Sequence, residues 1–179
     1  MNRSFFVGGL LAATVALSSG CSVRNYKPTG GAETARLTLV RGATFLGGRS
    51  LQVYSGYRDA RCSAGPGNGR LAALLTYATT RKTATVEAGR RLYVAAGLHD
   101  YSVAAPSPDS SYRPGLTIRR GTCINVVSFV PQPRRDYEIL QDETPTVGCG
   151  LRVTELGAGA PPSDLTIENA NDCPDEAVQ

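Results

Sequence analysis

The chain has 179 residues, 41% of them apolar and 19% charged, with 19 lysines and arginines against 15 aspartates and glutamates. That length suits one domain, and the composition excludes collagen, coiled coil and a disordered chain. There is one methionine, no tryptophan and four phenylalanines, so the core has to be built from Val, Leu, Ile, Ala and Tyr. Small and β-branched side chains of this kind favour sheets.

Arg3 precedes an apolar stretch from Phe5 to Leu17, followed by Ser18-Ser19-Gly20-Cys21. A positive start, a short apolar stretch and small residues at its end describe a secretory signal over residues 1–20, too short to span a bilayer as a helix. The run Leu17-Ser18-Ser19-Gly20-Cys21 resembles a bacterial lipobox, with Ser18 where that family usually carries Leu or another aliphatic residue. The resemblance implies cleavage before Cys21, followed by its diacylation and N-acylation. An ordinary signal-peptidase site ending at Gly20 would instead leave Cys21 as a free thiol. Five cysteines is an odd number for an oxidising compartment, where an exposed free thiol is a liability. Lipidation of Cys21 leaves Cys62, Cys123, Cys149 and Cys173 to form two disulfides. Several acyl chains anchor durably where one is marginal. The resemblance further implies, from Ser22 rather than Asp after the cysteine, sorting to the outer membrane, with the domain in the periplasm or at the cell surface.

Residues 21–33, with Pro28 and Gly30-Gly31, show no apolar periodicity and read as the lipidated cysteine and a flexible tether. Fully extended, such a segment reaches about 40 Å. From Ala35 the pattern turns to alternation: Leu37 with Leu39, Leu51 with Val53, Ala84 with Val86, then Leu92, Val94 and Ala96. Period two between Gly and Pro punctuation predicts strands. The segment from Cys123 to Val130 is apolar on both faces and reads as a central strand; Tyr137 with Ile139 and Leu151 with Val153 complete the set. Leu71, Leu74 and Leu75 fit a helical stripe as well as a strand. The whole predicts an all-β fold over 34–156: an antiparallel β-sandwich, immunoglobulin-like or prealbumin-like, with about seven strands and at most one short helix.

Two segments read as irregular. One runs from Gly97 to Gly115 with Pro106, Pro108 and Pro114, and the other is the Pro/Gly-rich then acidic tail, 157–179. Such a tail frays unless it is tied down, and Cys173 supplies the tie. Spacing leaves all three disulfide connectivities open. Cys149 shares a strand face with Leu151 and Val153, which favours Cys149–Cys173, a loop worth roughly 3 kcal/mol in chain entropy, and leaves Cys62–Cys123.

Candidate chemistry is sparse. His99, the only histidine, stands beside Asp100 with Ser102 and Ser107 nearby, the residue types of a serine hydrolase. There is no nucleophile elbow and no Gly-rich oxyanion segment, so His99 reads as a polar loop residue. No catalytic residue is therefore expected. The cysteines lack C-x-x-C spacing, and the acids of the tail (Asp164, Glu168, Asp172, Asp175, Glu176) lack a loop that would gather them on calcium. Neither a metal nor a cofactor is expected. Gly65-Pro66-Gly67-Asn68-Gly69 reads as a hairpin loop, since Pro66 removes an amide that a phosphate cradle needs. Three arginine pairs stand at 90–91, 119–120 and 134–135. With one strand between the last two pairs, they lie on the order of 25–30 Å apart, too far for one cationic patch. They read as charges that guard strand ends.

The lipobox-like start, Leu37-Thr38-Leu39-Val40, the Gly89 turn into Leu92-Tyr93-Val94, Phe129-Val130-Pro131 before Asp136-Tyr137-Glu138-Ile139, and Cys149-Gly150-Leu151-Arg152-Val153 together resemble the small all-β lipoproteins of proteobacterial envelopes. That resemblance implies location and fold, and assigns no functional residues. The expected function is a non-catalytic envelope lipoprotein, held at the membrane by its anchor and binding another envelope protein, with no nucleic-acid partner. The alternatives are a small-ligand or polyanion binder using the 97–115 segment and, more distantly, a hydrolase using His99. A lysozyme inhibitor is disfavoured, because a basic chain is mismatched to a basic enzyme.

Overall fold

The computed structural model describes residues 24–42, 49–75, 79–104, 117–144 and 148–173. The expected signal over 1–20 and Cys21 lie outside them. The alternating segments form nine strands: β1 (Thr34–Arg41), β2 (Arg49–Tyr57), β3 (Gly69–Leu75), β4 (Arg81–Glu87), β5 (Leu92–Ala104), β6 (Thr117–Phe129), β7 (Asp136–Thr144), β8 (Gly148–Glu155) and β9 (Thr166–Glu168), with one 3₁₀ turn at Ala170–Asp172. They make a four-stranded sheet, β4-β1-β7-β8, and a five-stranded sheet, β3-β2-β5-β6-β9. The all-β sandwich is therefore present, with nine strands among the described residues where about seven are expected. Neighbours are antiparallel apart from β1 and β7, which run parallel with Leu37 opposite Tyr137 and Leu39 opposite Ile139.

Period two puts one face of each strand inside. Ala35, Leu37 and Leu39 of β1, Val86 of β4, Val94 and Ala96 of β5, Val127 and Phe129 of β6, Tyr137 and Ile139 of β7 and Val153 of β8 share one core. Each large side chain buried there contributes roughly 1.5–3 kcal/mol. Phe129 and Tyr137 meet across the sheets with ring centroids 5.1 Å apart, tilted by 53°. A second, smaller cluster lies on the outer face of the five-stranded sheet, where Tyr57, Cys62, Ala95, Val126 and Cys173 pack together. That cluster explains why the segment from Cys123 to Val130 is apolar on both faces. The strand is not the middle one: β5 is, and β6 lies next to the edge.

Five expectations need correction. The Leu71/Leu74 spacing is that of a bulged strand, since Tyr54 faces Ala72 and Ser55 faces Arg70, leaving Leu71 as the extra residue. The bulge turns Leu71 inward beside Leu74, and a helical stripe results without a helix. The segment from Gly97 is regular strand as far as Ala104, paired with β6 from Thr117; its polar residues hid the alternation. The expected tether is docked from Arg24 onward: Arg70 N donates to Arg24 O at 2.8 Å, Tyr26 N to Arg70 O at 2.9 Å and Lys27 N to Gly67 O at 3.0 Å. A glycine at 56 permits this, because a Cβ there would stand 2.9 Å from the Tyr26 ring. The tail also belongs to the fold, because β9 pairs with β6 at Val126, Val127 and Ser128.

The fifth correction concerns the disulfides. All four described cysteines are paired, as Cys62–Cys173 and Cys123–Cys149, with Cα separations of 5.0 and 5.7 Å. The expected Cys62–Cys123 and Cys149–Cys173 pairs do not form. β8 ends the four-stranded sheet and meets β6 across the open side of the sandwich, so Cys149 faces Cys123. β9 carries the tail over the outer face of the other sheet, where Cys62 waits beside Val126.

The interior is not wholly apolar. Gln52 and Gln141 are fully buried. Gln141 Nε2 donates to the carbonyls of Ala96 and Cys123, both at 3.0 Å, and Gln52 Nε2 donates to Gln141 O at 3.0 Å. The Tyr54 hydroxyl donates to Val40 O at 2.7 Å and accepts from Gln141 N at 3.2 Å. These bonds tie the two sheets together where core volume alone would leave their register free.

Two measurements check this account. Non-reducing peptide mapping is expected to yield Cys62–Cys173 and Cys123–Cys149 peptides, and removal of the first bond, with a sequence separation of 111 residues, is expected to cost roughly 5 kcal/mol against roughly 3.5 for the second; any other peptide pairing contradicts the fold. Gln141→Ala is expected to cost about 3 kcal/mol in urea denaturation, while Arg152→Ala on the exposed face changes stability by less than about 0.5.

Candidate functional site

The pairing register gathers the ends of eight strands. β1, β3, β5 and β7 begin where β2, β4, β6 and β8 finish, as shown by Thr34 opposite Glu87, Gly56 opposite Gly69, Leu92 opposite Phe129 and Tyr137 opposite Glu155. Two of the three arginine pairs meet at this end. Arg90-Arg91 lies in the β4–β5 turn and Arg134-Arg135 in the β6–β7 turn, and the turns touch through Gly89 N donating to Pro131 O at 2.8 Å. The main chain continues the contact into β1, with Arg134 N donating to Thr34 O at 2.9 Å and Arg36 N to Arg135 O at 3.0 Å. The third pair, Arg119-Arg120, sits opposite Ser102 and Tyr101, at the far end of β6. Sequence reasoning separated it from Arg134-Arg135 but missed the meeting of 90–91 with 134–135, which only the β5–β6 register reveals.

Carboxylates hold these arginines in place. Asp136 accepts from both Nε and Nη2 of Arg36 at 2.7 Å. Asp164 accepts from Val130 N at 2.8 Å and from Arg91 Nη2 at 3.2 Å, while Arg91 Nη1 also donates to Ser128 at 2.9 Å. Arg135 reaches Glu155 at 3.4 Å. Exposed pairs of this kind contribute about 0–1 kcal/mol each, so they fix position more than stability. Arg134 differs: it is exposed, takes a left-handed φ of 62°, and its guanidinium has no carboxylate partner among the described residues. It lines an open groove of about 340 Å³ with Arg36, Arg135 and Thr85. Guanidinium groups around a polar groove match the geometry of a phosphate or carboxylate.

Glu87 is the hub that binds the N-terminal segment to this end. It is buried and accepts from Thr29 Oγ1 at 2.8 Å and Arg58 Nη2 at 2.9 Å, with Arg90 Nη1 at 3.4 Å. The Thr29 hydroxyl foremost, with Arg58 and Arg90 adding to it, holds the Glu87 carboxyl below the ordinary carboxylate range in spite of its burial. Nothing in the residue pattern singles out Glu87, since its partners come from residues 29 and 58.

The remaining candidates are dispersed. His99 is half-buried inside β5, opposite Leu51 and Thr122, and so is not a loop residue. Asp100 is the next position of the same strand, and Ser107 lies outside the described residues. Among the described residues no three His, Cys, Asp or Glu side chains group as a metal site. No helix there is long and apolar enough to cross a membrane. Comparison with protein-family models, with curated proteins and with solved structures finds no match to this chain.

The Glu87 hub makes a pH prediction. A lowered folded-state pKa contributes stability that is fully present above the ordinary carboxylate range and is lost as pH falls through the lowered value. Glu87→Gln is expected to lower stability at neutral pH by about 2 kcal/mol, to flatten the acid limb of stability against pH, and to speed tryptic cleavage after Arg24. Urea denaturation across a pH series checks this, and an unaltered acid limb refutes the hub.

Proposed function

We propose that the chain is an exported lipoprotein, anchored through Cys21, whose β-sandwich binds another component of the cell envelope without catalysing a reaction. The observation that carries the reading is the cysteine pairing. Cys62–Cys173 and Cys123–Cys149 use every cysteine after residue 21, so the odd thiol is the one in the lipobox-like run. Two disulfides also suit an oxidising compartment. The reading of binding over chemistry draws on the way the charged groups are used: Asp136, Glu87, Asp164 and Glu155 each engage an arginine. Sorting to the outer membrane, with the domain in the periplasm or at the surface, belongs to the same reading.

The second reading, a polyanion or small-ligand binder, draws on the groove between Arg36, Arg134 and Arg135. It predicts binding that weakens steeply with salt.

Labelled fatty acid is expected to enter the wild-type chain and to be absent from Cys21→Ser; equal labelling of both would overturn the anchor. In-cell crosslinking from surface positions is expected to recover a protein partner, and recovery of none counts against the binding role.

A further inference from the structure

We infer that the arginine-rich end of the sandwich faces the membrane and rests its guanidinium groups on lipid headgroup phosphates. The inference rests on the Cys21 anchor of the preceding reading and adds an orientation to it.

The first argument is the length of the leash. An undocked 21–33 segment would let the domain stand about 40 Å away in any orientation. The segment is in fact held from Arg24, whose carbonyl accepts from Arg70 N at 2.8 Å. Gly69 keeps that contact open: its φ is +149°, and a Cβ there would collide with the Arg24 carbonyl. Only Ser22 and Val23 separate Arg24 from Cys21, so the lipidated residue lies within about 11 Å of the docked chain. Arg24 sits beside the start of β3, at the end where Arg90 and Arg134 stand. A leash this short leaves that end no choice but to face the bilayer.

Charge is the second argument. Arg36, Arg90 and Arg135 are exposed to 62%, 64% and 58% even while paired. Arg58 and Arg90 share the single carboxylate of Glu87. The side chains of Arg24, Lys27, Arg61 and Arg134 are exposed and form no ion pair with a carboxylate among the described residues, against Glu33 and Asp172 as exposed acids whose carboxylates pair with no arginine there. The leash is about as long as the Debye length of roughly 8–10 Å, so these cations lie within range of the headgroup layer. An anchor combined with basic residues is also the two-signal arrangement that membrane binding favours.

The test uses the full, anchored chain and no substitution. It is reconstituted in phosphatidylethanolamine vesicles containing about one-third phosphatidylglycerol, or held in a non-ionic detergent, and treated with phenylglyoxal, which modifies arginine. Mass spectrometry then compares Arg36, Arg90 and Arg134 with Arg81 and Arg152, exposed to 62% and 70% elsewhere on the sandwich. The expected result is that the first group reacts at least about fivefold more slowly in vesicles than in detergent, while Arg81 and Arg152 react alike in both. Equal rates for the two groups in a chain that carries fatty acid and sediments with the vesicles overturn the orientation and leave the anchor standing. A chain that carries no fatty acid and remains in the supernatant overturns both.

Discussion

Two sheets stacked face to face leave open sides where edge strands meet water, and closing those sides is the constraint that organises this molecule. On one side β3 and β4 end their sheets, and the N-terminal segment runs between them, bonded to Arg70 and packed through Tyr26 against the core. On the other side β8 and β6 approach one another and Cys123–Cys149 joins them. Edge strands left bare invite pairing with other chains. Here one side is sealed by a length of backbone and the other by a covalent bond.

The same economy places the charged groups. Beyond its backbone bonds to β3, the N-terminal segment is held on its side by Glu87, which receives Thr29 and Arg58 together and also draws Arg90 into position. Docking of the chain and ordering of the arginine-rich end are thus one event. A carboxylate that neutralised fewer partners would leave both the segment and the turn loose.

How much of this was legible in the sequence depended on the range of the interaction. Strands whose core residues alternate without interruption, such as Leu37 with Leu39 or Leu92 with Val94, announced themselves. β3 did not, because a bulge at Leu71 breaks the period, and the far half of β5 did not, because His99, Asp100 and Ser102 carry no apolar signal. β9 is three residues long, too short for any pattern. The disulfide partners were illegible for a different reason: Cys149 does lie near core residues, but which sheet edge it faces is decided by the order of strands, and no local pattern encodes that order. The arginine-rich end was half visible. Its residues stood out as pairs, yet their meeting depends on β5 lying against β6 with Leu92 opposite Phe129, and Glu87 gave no sign at all.

The long disulfide also sets a schedule. Chains are delivered from the N-terminus, so Cys62 emerges well before its partner, and both Cys123 and Cys149 arrive in between. Cys123 and Cys149 have each other only 26 positions apart, whereas Cys62 must wait through 111. Any early pairing of Cys62 has to be undone by thiolate attack before the right one can form. The domain is complete only once its final strand has been laid down, and a chain cut short before Cys173 keeps an orphan thiol that reports the shortfall.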